Sequence, residues 1–391
     1  MSALPLFQES AFMLSLHSAF AALATPTAAQ AQAWSTFIQL GLPGLRDEQW
    51  KYTQLHRLYS QSFSAHQLTP SVTAPDGVKV MQVAIPRDDT TQPFIALSQA
   101  LNSHELLIEV PDGVTITQPL MLEFATAGTQ PALIASRVVV KLGRNSQLTL
   151  IERHSSANDI SHANILATNI NLDENARLVH CCLQVENQSS FQLSTTNVVV
   201  SKHAQYFNHH FNLGGSVGRA DINVKLSGAD AYTELNGLQF ATGNQVHDTH
   251  SRIEHCVPRA RSSETYHGIA DQRGQVVFNG KVMVHKHAIG TDAQQSSRNL
   301  LLSPKAEIDT KPELEIYADD VKCAHGATVG QLDNTALFYL RSRGIGEQQA
   351  RGILTMAFAD SVINRVPVAA VRDELTALVH ARFGANVEVA S

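Results

Sequence analysis

The chain has 391 residues, of which 43% are hydrophobic and 16% charged; this is enough apolar material for a sizeable core and too much for a disordered chain. A net charge of −6 argues against a general nucleic-acid binder, and no apolar run approaches the length of a membrane-spanning helix. Four cysteines, Cys181, Cys182, Cys256 and Cys323, are no disulfide framework in so long a chain and point to reduced thiols and a cytoplasmic location.

Residues 1–90 are expected to form an N-terminal helical region. Phe12, Leu14, Leu16, Phe20 and Leu23 recur at loosely helical spacing. The small, apolar stretch Ala19–Ala33 imitates a signal-peptide cleavage region. No basic residue precedes it and Pro26 interrupts it, so a pair of amphipathic helices is the better reading. Gly41-Leu42-Pro43-Gly44 is turn chemistry, and Arg46–Tyr52, acidic early and basic late, suits a short helix.

Between residues 91 and 330 short β-rich runs dominate: Leu106–Val110, Val138–Leu142, Leu148–Ile151, Val198–Val200, Ile222–Leu226 and Val276–Phe278. Apolar and polar residues alternate, as in Ile222–Leu226, which is the two-residue period of a strand with one buried face. No long helical pattern interrupts the region. A weak repeat runs through it, in which polar and small residues lead into a strand. The small residue falls at 146, 176, 204 and 231, at intervals of 30, 28 and 27. Such a period is the mark of a repeat architecture in which each small residue sits at a tight corner. The expected fold is mainly β, a parallel β-helix; a β-sandwich with coincidental spacing is the alternative.

Residues 331–391 return to helix. Asn334–Arg343 ends at Gly344, a plausible helix stop. A second helix carries Ile353, Leu354, Ala357, Phe358 and Val362 on one face, and a third carries Val371, Leu375, Leu378 and Val379.

The densest chemistry lies in Glu315–Gly326. Cys323 and His325 are two apart, so in an extended chain they project to one face. A thiolate and an imidazole there suit a soft metal such as iron or zinc. Two ligands do not complete a site, so the rest must come from elsewhere or from a partner. Spacing alone leaves open a buried cysteine beside a surface histidine. Other histidines cluster in the β region: His203, His209, His210, His247, His250, His255, His267, and His285 with His287 on a shared strand face. Core or solvated histidines are the plainer reading of these. Cys181 and Cys182 are adjacent and point opposite ways in a strand, which suits joint chelation poorly and leaves one of them as core. Asp319-Asp320 reads as a solvated turn before Cys323. There is no P-loop, no G-x-S-x-G elbow and no C-x-x-C.

Asn299–Gly330, with its run Glu315-Ile316-Tyr317-Ala318-Asp319-Asp320-Val321-Lys322-Cys323-Ala324-His325-Gly326, resembles the signature of the SufB/SufD family of the Suf iron–sulfur cluster assembly system. Leu337–Ile345, Arg273–Gly280, Gly41-Leu42-Pro43 and Arg46–Thr53 match it in the same order. The resemblance implies a right-handed parallel β-helix between helical ends. His325-Gly326-Ala327-Thr328 stands where the SufB branch reads His-Glu-Ala-Thr, and Ser297 falls where SufB has a cluster-building cysteine, so the chain resembles the SufD side. That side implies no stand-alone enzyme. It implies a scaffold that pairs with a SufB-like paralogue and binds SufC, an ABC-type ATPase, with no nucleotide bound by this chain itself. A transient iron–sulfur cluster would form at the SufB–SufD interface, with iron acquisition among the roles. His325 matches the family's ligand, Cys323 its neighbouring cysteine, and Arg343-Gly344-Ile345 the ATPase-binding segment. A homodimer of the isolated chain is compatible with this.

Two rival functions stand beside that reading. A β-helical polysaccharide-cleaving enzyme needs a carboxylate constellation that the chain lacks. A stand-alone His-rich metal-binding protein would bind several ions without partners.

Overall fold

A computed structural model describes residues 10–44, 46–86 and 90–383. Two helices open the chain, α1 (Ala11–Ala21) and α2 (Ala28–Leu40). Ser10 caps α1. Thr27 and Gln30 form a reciprocal capping box on α2, just after Pro26. The Ala19–Ala33 stretch is thus a helix–turn–helix. Phe12 and Leu16 of α1 are buried, while Leu14, two positions out of phase, is 61% exposed. Leu23 lies beyond the helix. Glu48–Trp50 is a single 3-10 turn and α3 (His56–Tyr59) one α turn.

Three short strands follow, β1 (Ser64–Ala65), β2 (Ser71–Thr73) and β3 (Lys79–Ala84). Next comes α4 (Pro93–Leu101), a helix inside the span read from sequence as strands. Every residue of α4 from Phe94 to Leu101 is buried, because it is sandwiched between α2 and a sheet. Burial on all sides, Ser98 and Gln99 included, leaves no polar face to mark it as an amphipathic helix, which hid it from sequence reading.

Sixteen strands then wind about eight turns, two strands to a turn. One sheet holds β4 (His104–Val110), β6 (Ala132–Leu142), β8 (His162–Leu172), β10 (Phe191–Val200), β12 (Val217–Leu226), β14 (Val246–His255), β16 (Gln275–Val284) and β18 (Glu307–Ile316). The other holds β5 (Leu120–Thr126), β7 (Gln147–Ser156), β9 (Arg177–Gln184), β11 (Gln205–Asn212), β13 (Tyr232–Ala241), β15 (Arg261–Ala270), β17 (Asp292–Leu301) and β19 (Lys322–Gln331). All neighbours among these sixteen pair in parallel, so the fold is a parallel β-solenoid rather than a sandwich.

The repeat in the sequence has a physical cause at one corner. Asn145, Asn175, His203, Asp230, Arg259, Gly290 and Asp320 all take a left-handed backbone with φ between 53° and 71°. Asn, Asp and Gly tolerate that conformation best. The N–H of Asn145 donates to the Glu174 carbonyl at 3.0 Å, that of Asn175 to Lys202 at 3.0 Å and that of Gly290 to Asp320 at 2.9 Å, tying each turn to the next. The residue after each corner points inward. Ser146, Ala176, Ala204, Ala231 and Ala260 are fully buried there, small side chains set between the rungs above and below. The same periodic corner follows β16, so His285 and His287 lie in a turn rather than on a shared strand face.

Both outer faces are covered. The N-terminal helices and α4 pack Phe12, Leu16, Phe37, Leu58, Phe94 and Leu97 onto Ala163, Ile165, Phe191 and Val217 of the first sheet. Trp50 lies against the buried Arg219, whose guanidinium is 3.8 Å from the ring centroid. Arg219 donates to Asp221 and Asp248 at 2.8 Å and to the Gln49 carbonyl at 2.6 Å, and the Thr53 hydroxyl also donates to Asp248. The Arg46–Thr53 motif therefore docks the N-terminal segment on the solenoid. The tail helices α5 (Asn334–Ser342), α6 (Glu347–Ile363) and α7 (Ala369–Ala381) return along the second sheet. There Met356, Ala359, Val362, Val371 and Leu375 pack with Cys181, Leu183, Phe211, Leu238 and Ile269.

Candidate functional site at the open end of the solenoid

The last turn of the solenoid has one free edge on each sheet, because β18 pairs only with β16 and β19 only with β17. Cys323 and His325 lie on β19. In a parallel ladder, paired residues point to the same side. Cys323 pairs with Ala293 and His325 with Gln295, and both partners are buried. The two side chains thus share the inward face at the mouth of the solenoid. Cys323 is half-buried against the central core, and His325 is exposed. Burial pushes the Cys323 thiol up, the Ala293 backbone N–H partly offsets this, and the Asp292 carboxylate adds to it. A bound cation would reverse that balance by displacing the proton. Nothing lies within 4 Å of where a Cβ on Gly326 would sit, so the outer face of β19 next to His325 is uncovered. One sulfur and one imidazole nitrogen at an unfinished edge supply part of a soft-metal coordination sphere and leave the remainder to another molecule.

Behind this mouth the same face stays polar. Gln295 donates to Glu264 at 2.6 Å, two rungs in from His325 along the register His325, Gln295, Glu264. Burial raises the Glu264 carboxyl to about 7 against the hydrogen bonds of Ser251 and Gln295. Ser297 is inward and buried, bonded to Asn299 at 2.9 Å and Thr310 at 3.1 Å. Deeper in, past Leu235, a second polar cluster fills the interior. Glu152 accepts from His154 at 2.6 Å and from His180 at 3.2 Å, and the Cys182 sulfur is 3.9 Å away. Full burial opposes ionisation of Glu152, but the two imidazoles outweigh it and hold its carboxyl well below the usual range. Sequence reading missed this cluster. Its members on neighbouring rungs sit 26 to 30 residues apart, as in the bonds of His180 to Glu152 and to Tyr206, so the corner period stacks them. The expectation that one of Cys181 and Cys182 is core needs widening. Both are buried, Cys181 under the tail helices and Cys182 beside Glu152.

The other histidines divide. His209, His210, His247, His255 and His267 are buried, and burial holds His247 down to about 3 and the rest to about 4. They are core groups: His247 bonds the Gly214 carbonyl at 2.8 Å, and His267 stacks on Phe358. His203 and Asp320 are corner residues.

Arg343-Gly344-Ile345 forms a separate, largely exposed junction between α5 and α6. Gly344 has φ 88°, which requires glycine. The Arg343 guanidinium lies 5.2 Å from the Tyr339 ring centroid. α5 has no buried residue, and Phe338 and Tyr339 are 73% and 58% exposed.

Comparison with known proteins agrees with this architecture. Residues 124–358 match the family model described as the SUF system FeS cluster assembly, SufBD core domain, and residues 3–134 match the SufBD protein N-terminal region. The iron–sulfur cluster assembly protein SufD of Escherichia coli is 34% identical over 94% of this chain and 95% of its own length. SufD of Bacillus subtilis is 28% identical over 78% of this chain and 68% of its own. A SufBD family protein of Synechocystis is 34% identical over 76% of this chain and 67% of its own. The chain belongs to the SufBD family. Its role is in iron–sulfur cluster assembly, and the protein it is most extensively similar to among these three is SufD of E. coli. No helix of the described residues is long and apolar enough to cross a membrane.

Proposed function

We propose that this chain is a non-enzymatic scaffold subunit that pairs through its open solenoid end with a SufB-like paralogue. His325, with Cys323 beside it, contributes to the coordination of a nascent iron–sulfur cluster, the cargo of the assembly, and takes part in acquiring its iron. The observation that carries this reading is the placement of a thiol and an imidazole on the inward face of an unpaired terminal strand. β19 holds no proline and no charge beyond Lys322, so it lacks the usual protection of an edge and is suited to pairing with a second strand. The same edge suits a homodimer when the paralogue is absent.

The division of the chain near residues 90 and 330 belongs to this reading: helical cover, solenoid and tail. α6 and α7 spend their apolar faces on the solenoid, whereas α5 and Arg343-Gly344-Ile345 remain free to receive an ABC-type ATPase. The chain itself binds no nucleotide.

His325→Ala, in the complete complex, is expected to leave folding and assembly intact and to lower cluster yield at least about tenfold, by analogy with the loss of a ligand-supporting group. Unchanged yield, read from the visible absorbance of the reconstituted cluster, would remove His325 from the coordination sphere. Arg343→Glu is expected to abolish co-elution of the ATPase while leaving paralogue pairing alone. Retained co-elution would leave the tail as a cover for the second sheet.

A further inference from the structure

A second set of metal-ligating groups lies away from the open end, at the corner where the first sheet's strands finish. Glu254 is the penultimate residue of β14, Cys256 follows the strand's end, and His285 follows the end of β16. One ligand atom from each, a carboxylate oxygen, the sulfur and an imidazole nitrogen, lie within 4.8 Å of one another. Ladder hydrogen bonds that continue past the strands place the residues. The Cys256 N–H donates to the Leu226 carbonyl at 3.2 Å, and the His285 N–H donates to the His255 carbonyl at 3.0 Å, so Cys256 and His285 stand on adjacent rungs of one corner. All three side chains are partly exposed.

We propose that Glu254, Cys256 and His285 bind a single divalent transition-metal ion of the zinc or ferrous class. Sulfur, nitrogen and oxygen donors in one cluster suit ions of borderline softness. Bonds of roughly 2.0–2.3 Å around a tetrahedral ion put ligand atoms about 3.3–3.8 Å apart, so the observed cluster closes by small rotamer changes on a rigid backbone. Three protein ligands leave the fourth position open to water or to an exchanging ligand. Glu254 accepts from Arg252 at 2.7 Å through Oε1, which leaves Oε2, 3.3 Å from His285 Nε2, on the ligand side. The Glu254–His285 bond alone would explain those two residues; the Cys256 thiol makes a long contact, 3.9 Å, with the Glu254 backbone carbonyl, which leaves the sulfur lone pairs for an ion. Burial and the Glu254 charge raise the Cys256 thiol, against the opposing Lys225 ammonium, so the neutral thiol must give up its proton to solvent when the ion binds. The Glu152–His154–Cys182 cluster offers the same donor types, but it is sealed in the interior with its carboxylate oxygens already occupied by imidazoles.

The test is anaerobic titration of the metal-free full chain with Co2+ alone. One equivalent is expected to produce tetrahedral d–d bands and a near-ultraviolet sulfur-to-cobalt charge-transfer band, with release of a proton. Cys256→Ser is expected to abolish the charge-transfer band, and His285→Ala and Glu254→Gln to weaken binding about tenfold or more. The double variant Cys323→Ser, His325→Ala should keep the band, which separates this site from the open end. Circular dichroism of each variant reports folding, and the conservative Glu254→Gln serves if another fails. Absence of the band, its survival in Cys256→Ser, or its loss in the double variant overturns the proposal.

Discussion

The two ends of the solenoid are built differently. At the first turn, β2 and β3 lie antiparallel on β5 and β4, one strand on each sheet, and Val72, Val78, Val80 and Val114 close the core from above. At the last turn, β18 and β19 run parallel like all the rungs before them and then stop. Leu314, Val321 and Cys323 are only half-buried, and Ile316 and Val329 are exposed. The closed end reverses strand direction, which ends the parallel repeat. The open end keeps the repeat's geometry and offers it to another strand. Exposed edges of this kind are usually protected, and the difference makes the last turn the end that continues the repeat's own parallel geometry.

The contrast between sealed interior and open mouth can be probed by pH, where the largest effect is expected. The buried histidines are held down, His247 to about 3 and His209, His210, His255 and His267 to about 4, whereas the unfolded chain protonates them near 6.5. A lowered folded value means that the unfolded state takes up protons first as pH falls. Their contribution is whole above about pH 6.5 and is lost progressively towards pH 4, at about 1.4 kcal/mol per pH unit for each histidine. Glu152, held low, adds stability present above its ordinary value near 4.5 and lost only in stronger acid. Melting temperature measured from pH 7.5 to about 5 should therefore fall steeply; a flat profile would mean that these imidazoles reach water.

A smaller effect separates the ends directly. Leu122 is fully buried in the first turn, opposite Val72. Leu122→Ala should cost about 2–5 kcal/mol in denaturant unfolding. A loss below about 1 kcal/mol, less than a deleted buried side chain ordinarily costs, would show that the closed end is loosely packed.

The smallest expected effect is a pair of glycine substitutions. A Cβ on Gly280 would strike the Gln295 amide and the Phe278 ring, so Gly280→Ala should destabilise by about 1–3 kcal/mol. Gly326→Ala, on the open rung, should change the stability of the isolated chain by no more than about 0.5 kcal/mol. Equal losses at the two positions would mean that the outer face of the last strand is as enclosed as the interior beside Gly280.

Much of the fold was written locally. The corner needs a residue tolerant of positive φ followed by a small buried one, and that demand recurs every turn, so Asn145-Ser146, Asn175-Ala176 and Asp230-Ala231 disclose the solenoid from sequence alone. Cys323 and His325 share a face because two-residue spacing in a strand puts them there. The tail helices were legible from their apolar stripes. Tertiary structure decided the rest. α4 was hidden because a helix buried on all sides carries no period. Register alone aligns His325 with Gln295 and Glu264, brings Glu152 to His180 and Cys182, and stacks Cys256 beside His285. Those groups are one or two turns of the solenoid apart, and their alignment depends on the length of every corner between them. The sequence by itself determined the repeat and the ligand types; only the wound chain decided which residues meet, because in a parallel ladder neighbours in space are distant in sequence.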